Sequence, residues 1–265
     1  MRVDRFAPTD LLQSAIDYIW LMQSDFLNED KREDIIMPLG HSNIIFNFAS
    51  SYTLVEADKE TMLPNAAVVG QIKEAKTVRY GQTLEQIGIS LKPAGVLSLF
   101  KTPGIAIAGR IVDVSDFDAT LNDLYIELKG LRDVEQKIKR IYEYMECKIK
   151  PDKNSLRLSE MVAYVISQCE NFNIQKMAEY FSVSVSALER FFKKYAGLTP
   201  KIYCEIIKFR KNVEDAELRK SIQDYYYDQS HLIKNTKKFT AKTFLELEEV
   251  KDELTLYHLL NSKEP

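Results

Sequence analysis

The stretch from Asn173 to Pro200, NIQKMAEYFSVSVSALERFFKKYAGLTP, constrains this chain most, because it demands two short helices meeting at a tight turn. Ile174, Met177, Ala178 and Phe181 recur at three- and four-residue spacing, which puts them on one face of a short helix. Gln175, Lys176 and Glu179 then face water. Ser182 to Ser184 breaks the pattern, and the Ser184 hydroxyl is placed to cap a second helix running from Val185 to about Tyr195. Leu188, Phe191, Phe192 and Tyr195 form its buried stripe, leaving Ser186, Glu189, Arg190, Lys193 and Lys194 on or beside the outward face. Gly197 supplies the stop, and Pro200 follows where it cannot prolong the same helix. Such a pair is a helix-turn-helix that offers its second helix to DNA, or else a plain helical hairpin within a core.

At 265 residues the chain has length for two domains, each able to bury its own core. A hydrophobic content of 45% with 28% charge is that of a globular protein. No apolar run approaches the roughly 20 residues that span a bilayer. The opening MRVDRFAPTD lacks a secretory apolar core, so a cytoplasmic, membrane-free protein is expected. Cys147, Cys169 and Cys204 are too widely spaced for a zinc site or disulfide framework and read as reduced, buried thiols. The net charge of −3 conceals an asymmetry: from Phe172 to Thr243 there are 14 Lys and Arg against 8 Asp and Glu, a balance of +6 that leaves −9 for the rest. An acidic body joined to a basic C-terminal region suits a DNA reader with a separate control domain, and also chance clustering of surface lysines.

Between about Ile16 and Ile111, short apolar segments alternate with turn residues. Arg32 to Met37, Ser42 to Phe48, Ala66 to Gln71, Thr77 to Tyr80 and Gln86 to Leu91 fit strands, punctuated by Pro38, Gly40, Pro64 and Gly81. The spacing predicts an antiparallel barrel or sandwich, which either holds a small molecule or is filled by its own side chains. Pro93 to Phe100 predicts a turn or two of helix, and Phe117 to Leu131 a longer one. Val134, Ile138, Ile141, Met145 and Ile149 form an amphipathic stripe, for dimerisation or for packing on the strands. KPDKN, Lys150 to Asn154, reads as the linker, with helix resuming from Ser155 to Cys169. Past Pro200, Ile202, Tyr203, Ile206, Ile207 and Phe209 predict one amphipathic helix to about Val213. The expected fold class is α+β in two domains, residues 1–150 being strand-rich with flanking helices and residues 155–250 all-α.

With FSVSVSALERFFKKYAGLTPK in the first unit and YYDQSHLIK and KKFTAKT beyond it, the region from Ile174 to Phe244 resembles the AraC/XylS-type transcription regulators. Their DNA-binding domain joins two helix-turn-helix units by a long helix. IMPLGHSNIIFNF, VVGQ (Val68 to Gln71) and ISLKPAGVLSLF (Ile89 to Phe100) are similar to a subgroup with an N-terminal sensing or dimerisation domain. The resemblance implies duplex DNA as partner, with a small-molecule effector, a homodimer and RNA polymerase contact as further partners to test, and no cofactor or metal. It places base contacts on Ser186, Glu189 and Arg190, the last able to donate twice to a guanine for about 1–3 kcal/mol of discrimination. Ser184 belongs to the same DNA-facing set, and Lys193 and Lys194 contact phosphates.

The second unit departs from the family pattern. The chain is shorter between Phe209 and Tyr225, leaving KSIQD for a supporting helix. Tyr225 stands at the turn glycine, Thr236 at a buried Phe, and Ala241 and Phe244 replace Gly and Pro. Gln229, Ser230, Lys234, Lys237 and Lys238 are therefore expected to touch phosphates without reading bases, and His231 and Tyr225 to Tyr227 to pack. Two functions compete: a sequence-specific regulator reading DNA mainly through its first unit, and an eroded regulator serving as a protein-interaction or small-molecule-binding module. An enzyme is not expected, because His41 is the lone histidine of the strand region and no phosphate loop or nucleophile–base pair stands out.

Overall fold

The structure is a computed structural model and describes residues 1–25, 32–56, 59–219 and 239. Two antiparallel sheets carry the N-terminal half. The larger orders β1 (Arg2–Phe6), β2 (Ile16–Asp25), β9 (Thr83–Leu91), β4 (Ser42–Asn47), β7 (Ala66–Val69) and β10 (Ile111–Asp113). The smaller orders β3 (Arg32–Ile36), β8 (Lys76–Tyr80), β5 (Tyr52–Glu56) and β6 (Lys59–Met62). The two sheets stay open and stack face to face, so of the two expected architectures it is the sandwich that forms and not a closed barrel.

Side-chain alternation along the strands decides what each face meets. On β9, Ile87, Ile89 and Leu91 join Ile19, Leu21, Ile44, Phe46 and Val68 in a core on one side of the large sheet. That side is covered by α1 (Gly95–Phe100), α3 (Ala119–Gly130) and α4 (Val134–Lys148), through Val96, Leu99, Leu121, Leu124, Ile138, Ile141 and Met145. A short α2 (Val114–Phe117) leads into α3. The amphipathic stripe of α4 is thus spent on the sheet, leaving that face closed to a second copy. The opposite side of the sheet presents Tyr18, Trp20, Met22, Ile45 and Leu84 to the small sheet. Gly88 is required there, since a Cβ would lie 2.0 Å from two atoms of the Trp20 indole.

Strand β2 changes faces by a bulge. Ile16 pairs with Leu91 and Tyr18 with Ser90, so Asp17 is an extra residue opposite none. Without that insertion Ile16 and Tyr18 would point the same way. With it, Ile16 joins the helix-covered core, Tyr18 enters the space between the sheets, and Asp17 is turned aside.

The expected linker is more ordered than its composition predicts. The Asp152 carboxylate accepts from the Asn154 and Ser155 amides in a capping box, so α5 (Lys153–Ser167) starts inside it. The Lys150 amide donates to Ser98 O at 3.0 Å. After α5 come α6 (Ile174–Tyr180), α7 (Val185–Ala196) and α8 (Pro200–Arg219), the last longer than its apolar stripe implies. Their shared core holds Leu158, Met161, Val165, Met177, Leu188, Phe192, Ile206 and Phe209, and it extends into the strand half through Ile35, Met37 and Ala94. Cys169 and Cys204 are buried free thiols, whereas Cys147 is exposed, a correction explained by its place beside the stripe of α4 and not in it.

Candidate functional site

Helices α6 and α7 form the helix-turn-helix from local signals. The Asn173 side chain accepts from the Lys176 amide to start α6, and the Ser184 hydroxyl accepts from the Ala187 amide at 3.3 Å to start α7. Between them Ser182 takes a left-handed conformation, φ 52°, and the Val183 amide donates to Ala178 O. Gly197, φ 86°, ends α7 with its amide on Lys193 O. Leu188, Phe192 and Ala196 are buried, while Phe191 and Tyr195 are only partly so and carry the guanidinium of Arg157 and the ammonium of Lys194 against their rings.

The opposite face of α7 is open. Ser184, Ser186, Glu189, Arg190, Lys193 and Lys194 are all exposed, and the structure brings them together along one helix. Arg190, Lys193 and Lys194 stand three and four residues apart, so their positive charges lie side by side on the helix surface. Gln229, Ser230, Lys234, Lys237 and Lys238, with His231 and Tyr225 to Tyr227, lie outside the described residues.

The far end of α7 is pinned to the strand half. A 3-10 turn at Gly104–Ala106 approaches so closely that a Cβ on Gly104 would lie 2.5 Å from Tyr195 O. Gly40, φ 79°, meets α8 in a similar way, since a Cβ there would reach Tyr203 at 3.0 Å. Its carbonyl accepts from the Gln71 carboxamide at 2.8 Å.

Beside Gly40 the bulged Asp17 finds its partners. His41 Nε2 lies 2.9 Å from the Asp17 carboxylate and 2.8 Å from Arg210 Nη1 of α8, and Arg210 Nη2 donates to Asp17 at 3.4 Å. Burial works to raise the Asp17 carboxyl, but the hydrogen bond and charge of His41, with Arg210 and Lys92, outweigh it and hold the group well below the usual carboxylate range. One nitrogen cannot serve both neighbours in one way. Unprotonated, Nε2 accepts from Arg210; protonated, it donates to Asp17 and repels Arg210.

His41 also borders a cavity of about 90 Å3 between the sheets, with room for several waters. Tyr18, Trp20, Met22, Ile45, Tyr52 and Tyr80 are among its lining residues, and Asp34, Asn43, Gln86 and Ser90 join His41 as polar ones. The Ser90 hydroxyl donates to Asn43 at 2.8 Å, and Tyr18 meets the His41 ring edge-on with centroids 5.8 Å apart. Burial pushes the Tyr18 and Tyr52 phenols up, so both stay neutral.

Sequence reasoning missed Asp17, Gln86, Gly104 and Arg210 as functional candidates. The available signals were faint: a charge between two apolar residues in IDYIW, and polar residues interrupting QIGIS.

Residues 4–113, running from β1 through β10, match the model of a domain of unknown function, DUF6597. No curated protein matches the chain. Among solved structures it is similar to an apo variant of ToxT from Vibrio cholerae strain SCE256, at 8% identity over 86% of this chain and 96% of that one, with a TM-score of 0.49. It is also similar to ToxT from Vibrio cholerae O395, at 9% identity over 89% of this chain and 96% of that one, TM-score 0.47. A further similarity is to the AraC-like transcriptional activator CuxR, at 11% identity over 84% and 98%, TM-score 0.30. No helix among the described residues is long and apolar enough to cross a membrane.

Proposed function

We propose that this chain is a sequence-specific, DNA-binding transcription regulator of AraC/XylS type and not an enzyme. In this reading residues 1–150 form the sensing domain and residues 155–250 the DNA-binding domain. The observation that carries it is α7: a capped helix, buried along Leu188 and Phe192, whose free face offers Ser186, Glu189, Arg190, Lys193 and Lys194 together. Arg190 and Glu189 read bases, and Lys193 and Lys194 fix register on the phosphates. The cavity between the sheets receives an effector. Its occupancy reaches the DNA-binding half through His41, which touches both the cavity and Arg210 of α8.

The test is pull-down and sequencing of genomic DNA with the intact protein and with Arg190→Ala. Enriched fragments should share a short motif that the variant loses, a cost of about 1–3 kcal/mol at the guanine it reads. Lys193→Ala should weaken binding to all fragments alike and lower the salt slope by about 1. Fragments with no common motif, recovered equally by both proteins, would leave the chain as an interaction or small-molecule-binding module.

A further inference from the structure

We propose that the cavity between the two sheets binds an uncharged, largely apolar molecule of about aromatic-ring size that presents a hydrogen-bond acceptor to Gln86. This rests on the reading of the strand-rich half as a sensor and adds the chemistry of what is sensed.

Three features of the wall select this class. Its apolar surface comes from Trp20, Met22, Ile45 and the ring faces of tyrosines, which reward an apolar body. No lysine or arginine belongs to the described lining, and the one imidazole, His41, is already committed to Asp17 and Arg210. An anion would therefore be buried without a counter-charge from the described lining and in company with the Asp34 carboxyl, itself only 3% exposed. Finally, the Gln86 carboxamide is 2% exposed, faces the cavity from β9, and has no hydrogen-bond partner for its nitrogen among the described residues.

That nitrogen is a donor in search of an acceptor. A strand position between Leu84 and Gly88 on the cavity side needs no polar group for pairing, because the β9 backbone already completes its ladders with β2 and β4. A ligand carbonyl or ether oxygen would meet the unpaired amide.

Trp20 lines this cavity and is the chain's single tryptophan, so intrinsic emission reports on the site directly. The experiment titrates the full chain with benzamide, benzoate and benzamidine, which share a size and shape and differ in charge. Benzamide should give a saturable change in Trp20 emission, at least about ten-fold tighter than either charged analogue. Gln86→Leu should weaken benzamide by about ten-fold and leave the weak benzoate signal unchanged. Benzoate or benzamidine binding as well as benzamide, or a Gln86→Leu variant that binds benzamide normally, overturns the proposed ligand class while leaving the cavity as a sensor. If none of the three gives a saturable signal, the cavity holds only water and the sensor reading fails with the proposal. The Arg190→Ala comparison on DNA stands or falls separately.

Discussion

The two faces of the six-stranded sheet are built by the same strands and filled on opposite principles. Towards the helices, Ile87, Ile89 and Leu91 of β9 meet Val96, Leu121, Ile138 and Ile141, all deeply buried and all apolar. Towards the small sheet, the alternate residues of the same strand are Gln86, Gly88 and Ser90; Gln86 and Ser90 border a cavity, and Gly88 makes room for the Trp20 indole. A sheet needs one well-packed face to hold its register, and here the helix side supplies it. The other side is released from that duty. Unfilled space and buried polar groups do not help a fold hold together, and the proposed binding role would account for both.

The largest effect should come from damaging the packed face. Ile89 is fully buried against the helices, so Ile89→Ala loses its transfer free energy and leaves a hole that close-packed neighbours cannot fill. Urea denaturation should show a loss of about 2–5 kcal/mol with little change in slope. A loss well under 1 kcal/mol would mean that the helix face is not the one holding the fold.

How much of this is legible in the sequence follows from how local each signal is. The helix-turn-helix is readable almost to the residue, because Ser184, Gly197 and the spacing of Leu188 and Phe192 all act within a turn or two of helix. The strands around Ser42, Ala66 and Gln86 are readable for the same reason, while β1, β2, β5, β6 and β10 are not singled out by the sequence pattern, β6 and β10 being short and β6 exposed along its length. Alternation shows that Gln86 and Ile87 point apart. It does not show which side meets helices and which a second sheet. The ion cluster is less accessible still, since His41 and Arg210 are 169 residues apart in the chain and Asp17 joins them from a bulge that a strand pattern does not show.

That bulge is where the two faces exchange, and breaking its charge cluster should have the next largest effect. Asp17→Asn removes the anion facing His41 and Arg210, at a cost of about 1.5–3 kcal/mol near neutral pH. The wild-type carboxyl titrates below its ordinary value of 3.8 in the folded state. Its contribution is therefore complete above that value and drains away as pH falls from 3.8 towards the depressed folded value. Urea midpoints measured across this acid range should converge for the wild type and Asp17→Asn. A constant gap down to the lowest pH would show that the cluster holds the bulge by shape and not by charge.

The smallest stability effect, and the sharpest contrast, is expected at Gln86, next door to Ile87 on the same strand. Leu has about the volume of Gln, so Gln86→Leu keeps the site filled and removes a buried donor that has no partner among the described residues. An unpaired buried amide costs free energy in the folded state, and an apolar replacement has no such penalty. The variant should be as stable as the wild type or more so, by no more than about 1 kcal/mol in thermal or urea denaturation. If it proves clearly less stable, Gln86 is holding the sandwich together and the two faces differ only in polarity. If it is unchanged or more stable, the carboxamide contributes nothing to folding, and the proposed ligand stays as the reason for an unpaired amide beside the cavity.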